Sequence, residues 1–285
     1  MEEIIYQKFI EMLREDMPFW DVTTEILVPE KTKVRAVVIA KQEGVIACVD
    51  YAADILERFG LSVVKKLRDG DVVKGGDVVL EIVGDARKIL SLERTLLNLL
   101  MHCSGVATSV RRMVEKARAV NPRIRVAATR KTIPLLRIFE KKAVVAGGGD
   151  THRFSLSDAV LIKDNHLKIV GDVAEAVRRA KESAGFMHKV EVEVSNVEDA
   201  VKAVEAGADV VMFDNMSPEE IASAVKELEK RGLRNRVILE ASGGITLENV
   251  DKYASTGVDV VSCGWVTMSS KALDMSLEVV EVLPK

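Results

Sequence analysis

Apolar residues recur along this chain with two different periods, and the switch between them divides it. Over residues 2–16, Ile4, Ile5, Phe9, Met12 and Leu13 fall on one face of a helix. Residues 33–40, 45–49 and 78–83 are β-branched runs that read as strands, with a helix at 50–59 among them. Asp69-Gly70-Asp71 and Lys74-Gly75-Gly76-Asp77 are turns. A long helix is expected from about Leu90 to Ser104-Gly105, and a second from there to about Val120. Residues 1–105 thus read as a mixed α+β module.

Beyond residue 120 the pattern changes. Short apolar strands are predicted at 124–128, 159–163, 189–194, 209–213, 236–240 and 258–263, with helical patterns at 168–184, 197–206, 217–231 and 246–255 between most of them. This alternation predicts parallel βα units, and six in succession suit an α/β barrel that need not be complete. In such a barrel the site lies where strands end and loops begin. Arg130 follows the first strand, Lys163 closes the second, Glu193 lies near the end of the third and Asp214 ends the fourth. Glu240 and Ser242 end the fifth, and Gly264 ends the sixth.

Composition narrows the partners. The 285 residues carry 41 basic and 44 acidic side chains, a net charge of −3, which gives no global attraction to nucleic acid or an anionic membrane. No apolar run is long enough to span a bilayer, and the acidic start Met-Glu-Glu-Ile-Ile lacks the features of a secretory leader. Cys48, Cys103 and Cys263 are odd in number and far apart, which reads as reduced, buried thiols in a cytoplasmic protein.

Positive charge is concentrated at Arg130-Lys131 and His152-Arg153, on either side of Gly147-Gly148-Gly149. Guanidinium forks match carboxylate and phosphate oxygens, so this set suits a dicarboxylate or a diphosphate. Lys163, at a barrel mouth, is a candidate for a Schiff base or for a charge that meets a leaving diphosphate. Glu193 and Asp214, on adjacent strand ends, suit Mg²⁺ or ribose hydroxyls. Glu191 shares the facing of Glu193, so either carboxylate is a candidate for the centre. Ser242-Gly243-Gly244 precedes a helix expected to be capped by Thr246, and with Gly264 it offers backbone N–H groups to a phosphate.

Together these motifs resemble the quinolinate phosphoribosyltransferase family along nearly the whole chain. The resemblance is carried by Asp21-Val22-Thr23-Thr24, Glu93-Arg94-Thr95-Leu96-Leu97-Asn98, Thr129-Arg130-Lys131-Thr132-Ile133-Pro134 and His152-Arg153. Leu161-Ile162-Lys163-Asp164-Asn165-His166, Glu191-Val192-Glu193-Val194, Asp214-Asn215-Met216 and Glu240-Ala241-Ser242-Gly243-Gly244-Ile245 extend it. It implies an N-terminal α/β-sandwich domain over residues 1–107 and an incomplete α/β barrel over 108–268, with a C-terminal helix at 269–285 packing on the first domain.

The implied activity is phosphoribosyl transfer from phosphoribosyl pyrophosphate to quinolinate with decarboxylation, in NAD biosynthesis. It requires Mg²⁺ and no organic cofactor. By the same resemblance Arg130, Lys131, His152 and Arg153 bind the dicarboxylate. Lys163, Glu193 and Asp214 handle phosphoribosyl pyrophosphate and its metal, and Ser242, Gly243, Gly244 and Gly264 hold the 5′-phosphate. Arg94 reaches the site of a second subunit in a homodimer or larger homo-oligomer. Leu135, Thr151 and Met268 stand where the family often has Gly, Asn and His. The alternatives are a related pyrophosphorylase linked to molybdenum transport, a Schiff-base aldolase using Lys163, and a non-catalytic small-anion-binding barrel.

Overall fold

The computed structural model describes residues 2–284. In chain order its elements are α1 (Glu2–Asp16), α2 (Val22–Leu27), β1 (Lys33–Ala40), β2 (Gly44–Val45), α3 (Val49–Arg58), β3 (Ser62–Lys66), β4 (Val72–Val73), β5 (Val78–Asp85) and α4 (Ala86–Val120). There follow β6 (Arg125–Ala128), α5 (Arg137–Ala146), β7 (Val160–Ile162), α6 (Asp164–Val170), α7 (Val173–Ser183), β8 (Val190–Val194), α8 (Val197–Glu205), β9 (Val210–Asp214) and α9 (Pro218–Lys230). The chain ends with β10 (Ile238–Ser242), α10 (Val250–Ala254), β11 (Val260–Cys263), α11 (Trp265–Met268) and β12 (Met275–Val282). Among the described residues no helix is long and apolar enough to cross a membrane.

Contacts divide the chain into two units. The first comprises Met1–Ser109, Ile138–Gly148 and Ser270–Lys285, and the second Val110–Arg137 and Gly149–Ser269. The C-terminal tail groups with the first unit, as expected, whereas nearly all of α5 also joins it and interrupts the second unit expected over 108–268.

The first unit is built on a four-stranded sheet in the order β12-β1-β5-β3. The C-terminal helix expected at 269–285 is instead the strand β12, antiparallel to β1 from Val34↔Val282 to Ala40↔Met275. Ser276-Leu-Glu-Val-Val-Glu-Val is rich in β-branched residues, and the ladder with β1 supplies its backbone partners. Lys285, the end of the expected helix, lies outside the described residues. The helix break expected at Ser104-Gly105 is also absent, because α4 runs through it. Gly105 serves close packing: a Cβ there would lie 2.2 Å from the Lys271 carbonyl oxygen.

The second unit is an incomplete α/β barrel. Its six parallel strands take the order β6-β11-β10-β9-β8-β7. β6, first in sequence, sits beside β11, the last, and the wall is open between β6 and β7. The segment near Asp150 enters this seam. Its N–H donates to Val126 O at 2.8 Å and its carbonyl accepts from Ala128 N–H at 2.9 Å. Register in the wall is pinned by a repeated device. The Asp209 and Asp259 carboxylates, just before β9 and β11, accept the N–H groups of Val190 (2.7 Å) and Leu239 (2.8 Å) on the neighbouring strands. The helix expected at 168–184 is two helices. Gly171 at φ +93 ends α6, and Asp172 caps α7 by accepting from Glu175 N–H.

Candidate active site

The strand ends of the second unit carry the polar residues expected there. After β6 the chain forms the Arg130–Thr132 loop. Arg137 braces it, donating to Thr132 Oγ1 (3.0 Å), Arg130 O (3.3 Å) and Phe154 O (3.2 Å). Thr267 Oγ1 donates to Lys131 O at 2.6 Å. Gly264 lets the Lys131 side chain pass, since a Cβ there would lie 2.7 Å from Lys131 Cδ. Leu135 has φ +68, the left-handed region that glycine enters freely.

A cleft of about 510 Å³ opens beside β7, lined in part by Arg130, Arg153, Lys163, His166, Ser157 and His188. Arg130 Nε is buried without a hydrogen-bond partner. Arg153 donates to Ala159 O at 3.1 Å, and burial followed by the neighbouring Arg130 charge holds its pKa below the ordinary guanidinium value. Two guanidiniums that repel each other in one cleft, one with a buried orphan donor, form a site that an anion with more than one oxygen would complete.

Lys163 joins that group. Its ammonium is ion-paired with Glu193, whose side chain is only 11% exposed, and its backbone N–H donates to His166 Nδ1 at 2.8 Å. An ion-paired ammonium is not a nucleophile, which speaks against the Schiff-base reading. Of the two candidate glutamates on β8, Glu193 faces Lys163, while Glu191 is buried and faces His152. Asp214, at the end of β9, accepts from Asn215 Nδ2 at 3.0 Å. After β10, Gly243 adopts φ +95 and Gly244 φ +62, and the turn is stitched by Asn249, which accepts from Thr246 N–H (2.8 Å) and donates to Gly244 O (3.0 Å). Thr246 is therefore not the helix cap expected from the sequence, and α10 starts later, at Val250.

His152 departs most from expectation. With φ +52 it turns its ring away from the cleft and in among the strands. Its Nε2 lies 3.4 Å from Glu191 Oε2 and 3.3 Å from Glu240 Oε2, and its Nδ1 accepts from Arg153 N–H at 2.8 Å. Both ring nitrogens are thus engaged within the protein, so the ring has no donor left for a substrate carboxylate. Burial opposes a charge on the ring, but the Glu191 and Glu240 carboxylates outweigh it and push the pKa up to about 10. The Arg153 N–H, aimed at Nδ1, opposes a proton there, and in either charge state Nε2 carries one. Burial pushes the Glu191 carboxyl up. The ligand atoms of His152, Glu191 and Glu240 lie within 4.8 Å of one another, close enough for a metal ion. For an ion to bind there, Nε2 would have to give up the proton it holds between the two carboxylates.

Sequence reasoning missed Arg137, Asn249 and Ser262. Ser262 left a usable signal, as a lone polar residue in the apolar run Val260-Val-Ser-Cys263 two positions before Gly264. Its Oγ donates to Glu240 and lies 3.1 Å from Ser242 Oγ.

Residues 21–104 match the N-terminal domain, and residues 106–278 the C-terminal domain, of quinolinate phosphoribosyl transferase. The chain is 53% identical over 269 residues to a probable nicotinate-nucleotide pyrophosphorylase [carboxylating] of Methanothermobacter thermautotrophicus, covering 94% of this chain and 96% of that one. It is 39% identical over 266 residues to the human nicotinate-nucleotide pyrophosphorylase [carboxylating], covering 93% and 88%. The crystal structure of NadC from Streptococcus pyogenes superposes with a TM-score of 0.90 at 37% identity, covering 98% of this chain and 96% of that one. On these grounds the chain belongs to the quinolinate phosphoribosyltransferase family.

Proposed function

We infer that this protein transfers the phosphoribosyl group of phosphoribosyl pyrophosphate to quinolinate and releases pyrophosphate and CO₂, giving nicotinate mononucleotide for NAD biosynthesis. The observation that carries this reading is the Arg130–Arg153 pair, two guanidiniums facing one cleft with a buried Nε left unpaired. A planar pyridine dicarboxylate supplies oxygens for both. Lys131 and Lys163 add charge beside them. Lys163 spans from this cleft to Glu193, so it stands where the pyridine ring meets the sugar. The serine–glycine turn, with Gly264, takes the 5′-phosphate through backbone N–H groups and the Ser242 hydroxyl.

The chemistry follows from charge placement. The pyridine nitrogen lone pair forms a bond to ribose C1 while the bond from C1 to the pyrophosphate oxygen breaks. Glu193 and Asp214 stabilise the positive charge that develops on the sugar. The ring nitrogen becomes cationic. When the adjacent carboxylate leaves as CO₂, its bonding electrons stay on the ring carbon, where the nitrogen charge stabilises them until a proton from water is added. Arg130 and Arg153 hold the retained carboxylate through both steps, so orientation is the protein's main contribution. Mg²⁺ brought with the pyrophosphate would supply positive charge against the departing group. Glu193 and Asp214 present the hard oxygen donors that suit it, with one Glu193 oxygen engaged by Lys163.

A homo-oligomer with shared sites fits two features of the first unit. Arg94 is exposed on α4, and Phe19, Trp20, Val22, Ile26 and Leu27 expose apolar side chains around α2. The buried free cysteines Cys48, Cys103 and Cys263 fit a reducing cytoplasm. The deciding assay is release of labelled CO₂ from quinolinate carrying the label in its 2-carboxylate. Release should require both phosphoribosyl pyrophosphate and Mg²⁺. Binding of quinolinate without any release would turn the reading to an anion-binding barrel.

A further inference from the structure

Glu240 lies in the middle of β10, is 2% exposed, and has no face toward the cleft beside β7. Both its oxygens are taken. Oε1 accepts from Ser262 Oγ of β11, and Oε2 lies 3.3 Å from His152 Nε2. Each of these partners leads to a different end of the site. His152 accepts the backbone N–H of Arg153 at 2.8 Å, and its own N–H donates to Asp150 Oδ1 at 2.8 Å. Ser242 Oγ lies 3.1 Å from Ser262 Oγ and 3.4 Å from Ser262 O, so its one proton is shared between these two acceptors. A continuous polar chain therefore runs Arg153, His152, Glu240, Ser262, Ser242. It joins the guanidinium cleft to the serine–glycine turn through the interior of the strand wall. Barrel interiors are ordinarily filled with branched apolar side chains, and a buried carboxylate there is costly unless it is fully partnered. Glu240 is a poor choice for stability alone.

We propose that Glu240 is a positioning residue that couples the dicarboxylate clamp to the phosphate turn, so that occupation of one tightens the other. The proposal rests on the function inferred above. The direction of coupling follows from counting protons. Ser262 has one hydroxyl proton and commits it to the carboxylate, its stronger acceptor. It therefore meets Ser242 as an acceptor. When Ser242 turns its proton to a phosphate oxygen, Ser262 loses a donor and its own bond to Glu240 weakens, since bonds in a chain polarise one another. The Glu240 charge then falls more fully on His152, which fixes the backbone of Arg153.

The test uses phthalate, which has both carboxylates of quinolinate but no ring nitrogen and so cannot react. Its dissociation constant is measured by calorimetry with and without phosphoribosyl pyrophosphate, on the wild type, Glu240→Gln and Ser262→Ala. Gln keeps the shape and one acceptor oxygen of Glu. The wild type should bind phthalate at least about fivefold more tightly when phosphoribosyl pyrophosphate is present. Both variants should lose that ratio, although neither changes a group that touches phthalate. If Glu240→Gln does not fold, Ser262→Ala, which removes one hydroxyl, carries the test alone. A ratio that survives in a folded variant, or that is absent from a wild type competent in CO₂ release, overturns the coupling and leaves the function standing. A wild type that releases no CO₂ overturns the function itself.

Discussion

Gly243→Ala and Gly244→Ala are neighbouring substitutions with different expected costs. Both residues have positive φ, +95 and +62. An alanine forced into the left-handed region costs about 1–2 kcal/mol. For Gly244 that is the whole cost, because nothing lies within 4 Å of its would-be Cβ. For Gly243 the Cβ would lie 2.3 Å from Asn215 Oδ1 and 2.8 Å from Asn215 N. The exposed Asn215 side chain can swing aside. Its backbone N–H cannot, because it donates to Ser242 O at 2.9 Å and ties the end of β9 to the turn. Relieving the clash means giving up that bond, about 1 kcal/mol more. About 2–3 kcal/mol is then set against the phosphate turn at Gly243 and about 1–2 kcal/mol at Gly244. Expressed in binding, the difference of about 1 kcal/mol makes Gly243→Ala roughly fivefold the worse of the two. Initial rates against phosphoribosyl pyrophosphate at saturating quinolinate read this as KM, with melting curves to verify folding. Equal effects of the two substitutions, or a larger one at Gly244, would refute the reasoning.

Arg153→Lys keeps the charge but loses the fork that at once holds Ala159 O and faces the cleft. The quinolinate KM should rise at least about tenfold with little change in that for phosphoribosyl pyrophosphate, and equal shifts in both would count against the assignment. Arg94→Ala and Lys163→Ala, each inactive alone, should regain activity when co-refolded. Verified mixed oligomers without recovery would remove Arg94 from a shared site. Leu135→Gly relieves a positive φ at a residue 73% exposed, so urea unfolding should show it unchanged to about 1 kcal/mol more stable, and a clear loss would mean that Leu135 packs usefully. Asp69 is mostly buried, and burial raises its carboxyl pKa. A raised acid contributes stability at pH below its unfolded value of about 3.9 and loses it as pH rises through the folded value. The melting temperature of the wild type relative to Asp69→Asn should therefore climb on acidification from neutral pH, and a constant gap would contradict the burial argument.

The strand ends are legible in the sequence because a parallel barrel puts its chemistry in one register. The apolar run Val210-Val-Met-Phe213 ends at Asp214, which marks the mouth, whereas Ile238-Leu-Glu-Ala-Ser242 carries two polar residues, of which Ser242 ends the strand and Glu240 lies buried within it. His152 misleads for a backbone reason. Adjacent His and Arg invite a shared role, but φ +52 at His152 parts their side chains, the ring toward Glu191 and Glu240 and the guanidinium toward the cleft. Those two glutamates lie far from His152 in sequence, and a partnership across that distance leaves no local pattern. Gly105 reads as a stop because a glycine's contact partner, here Lys271, is invisible in sequence. The Gly171-Asp172 break carries an ordinary cap signature that the longer apolar period conceals.

The open seam bears on the order in which the second unit assembles. β6 is the first strand made and pairs with β11, the last, so that side of the wall cannot form until the whole repeat is available. Such distant pairing is slow. Glu191 and Glu240 reach the interior with their own strands, whereas the base between them arrives with the seam segment. Until His152 docks, the Glu191 and Glu240 carboxylates share a closing space with only the Ser262 hydroxyl to donate to them. Refolding should therefore pass through a species with its strands paired and its seam loose.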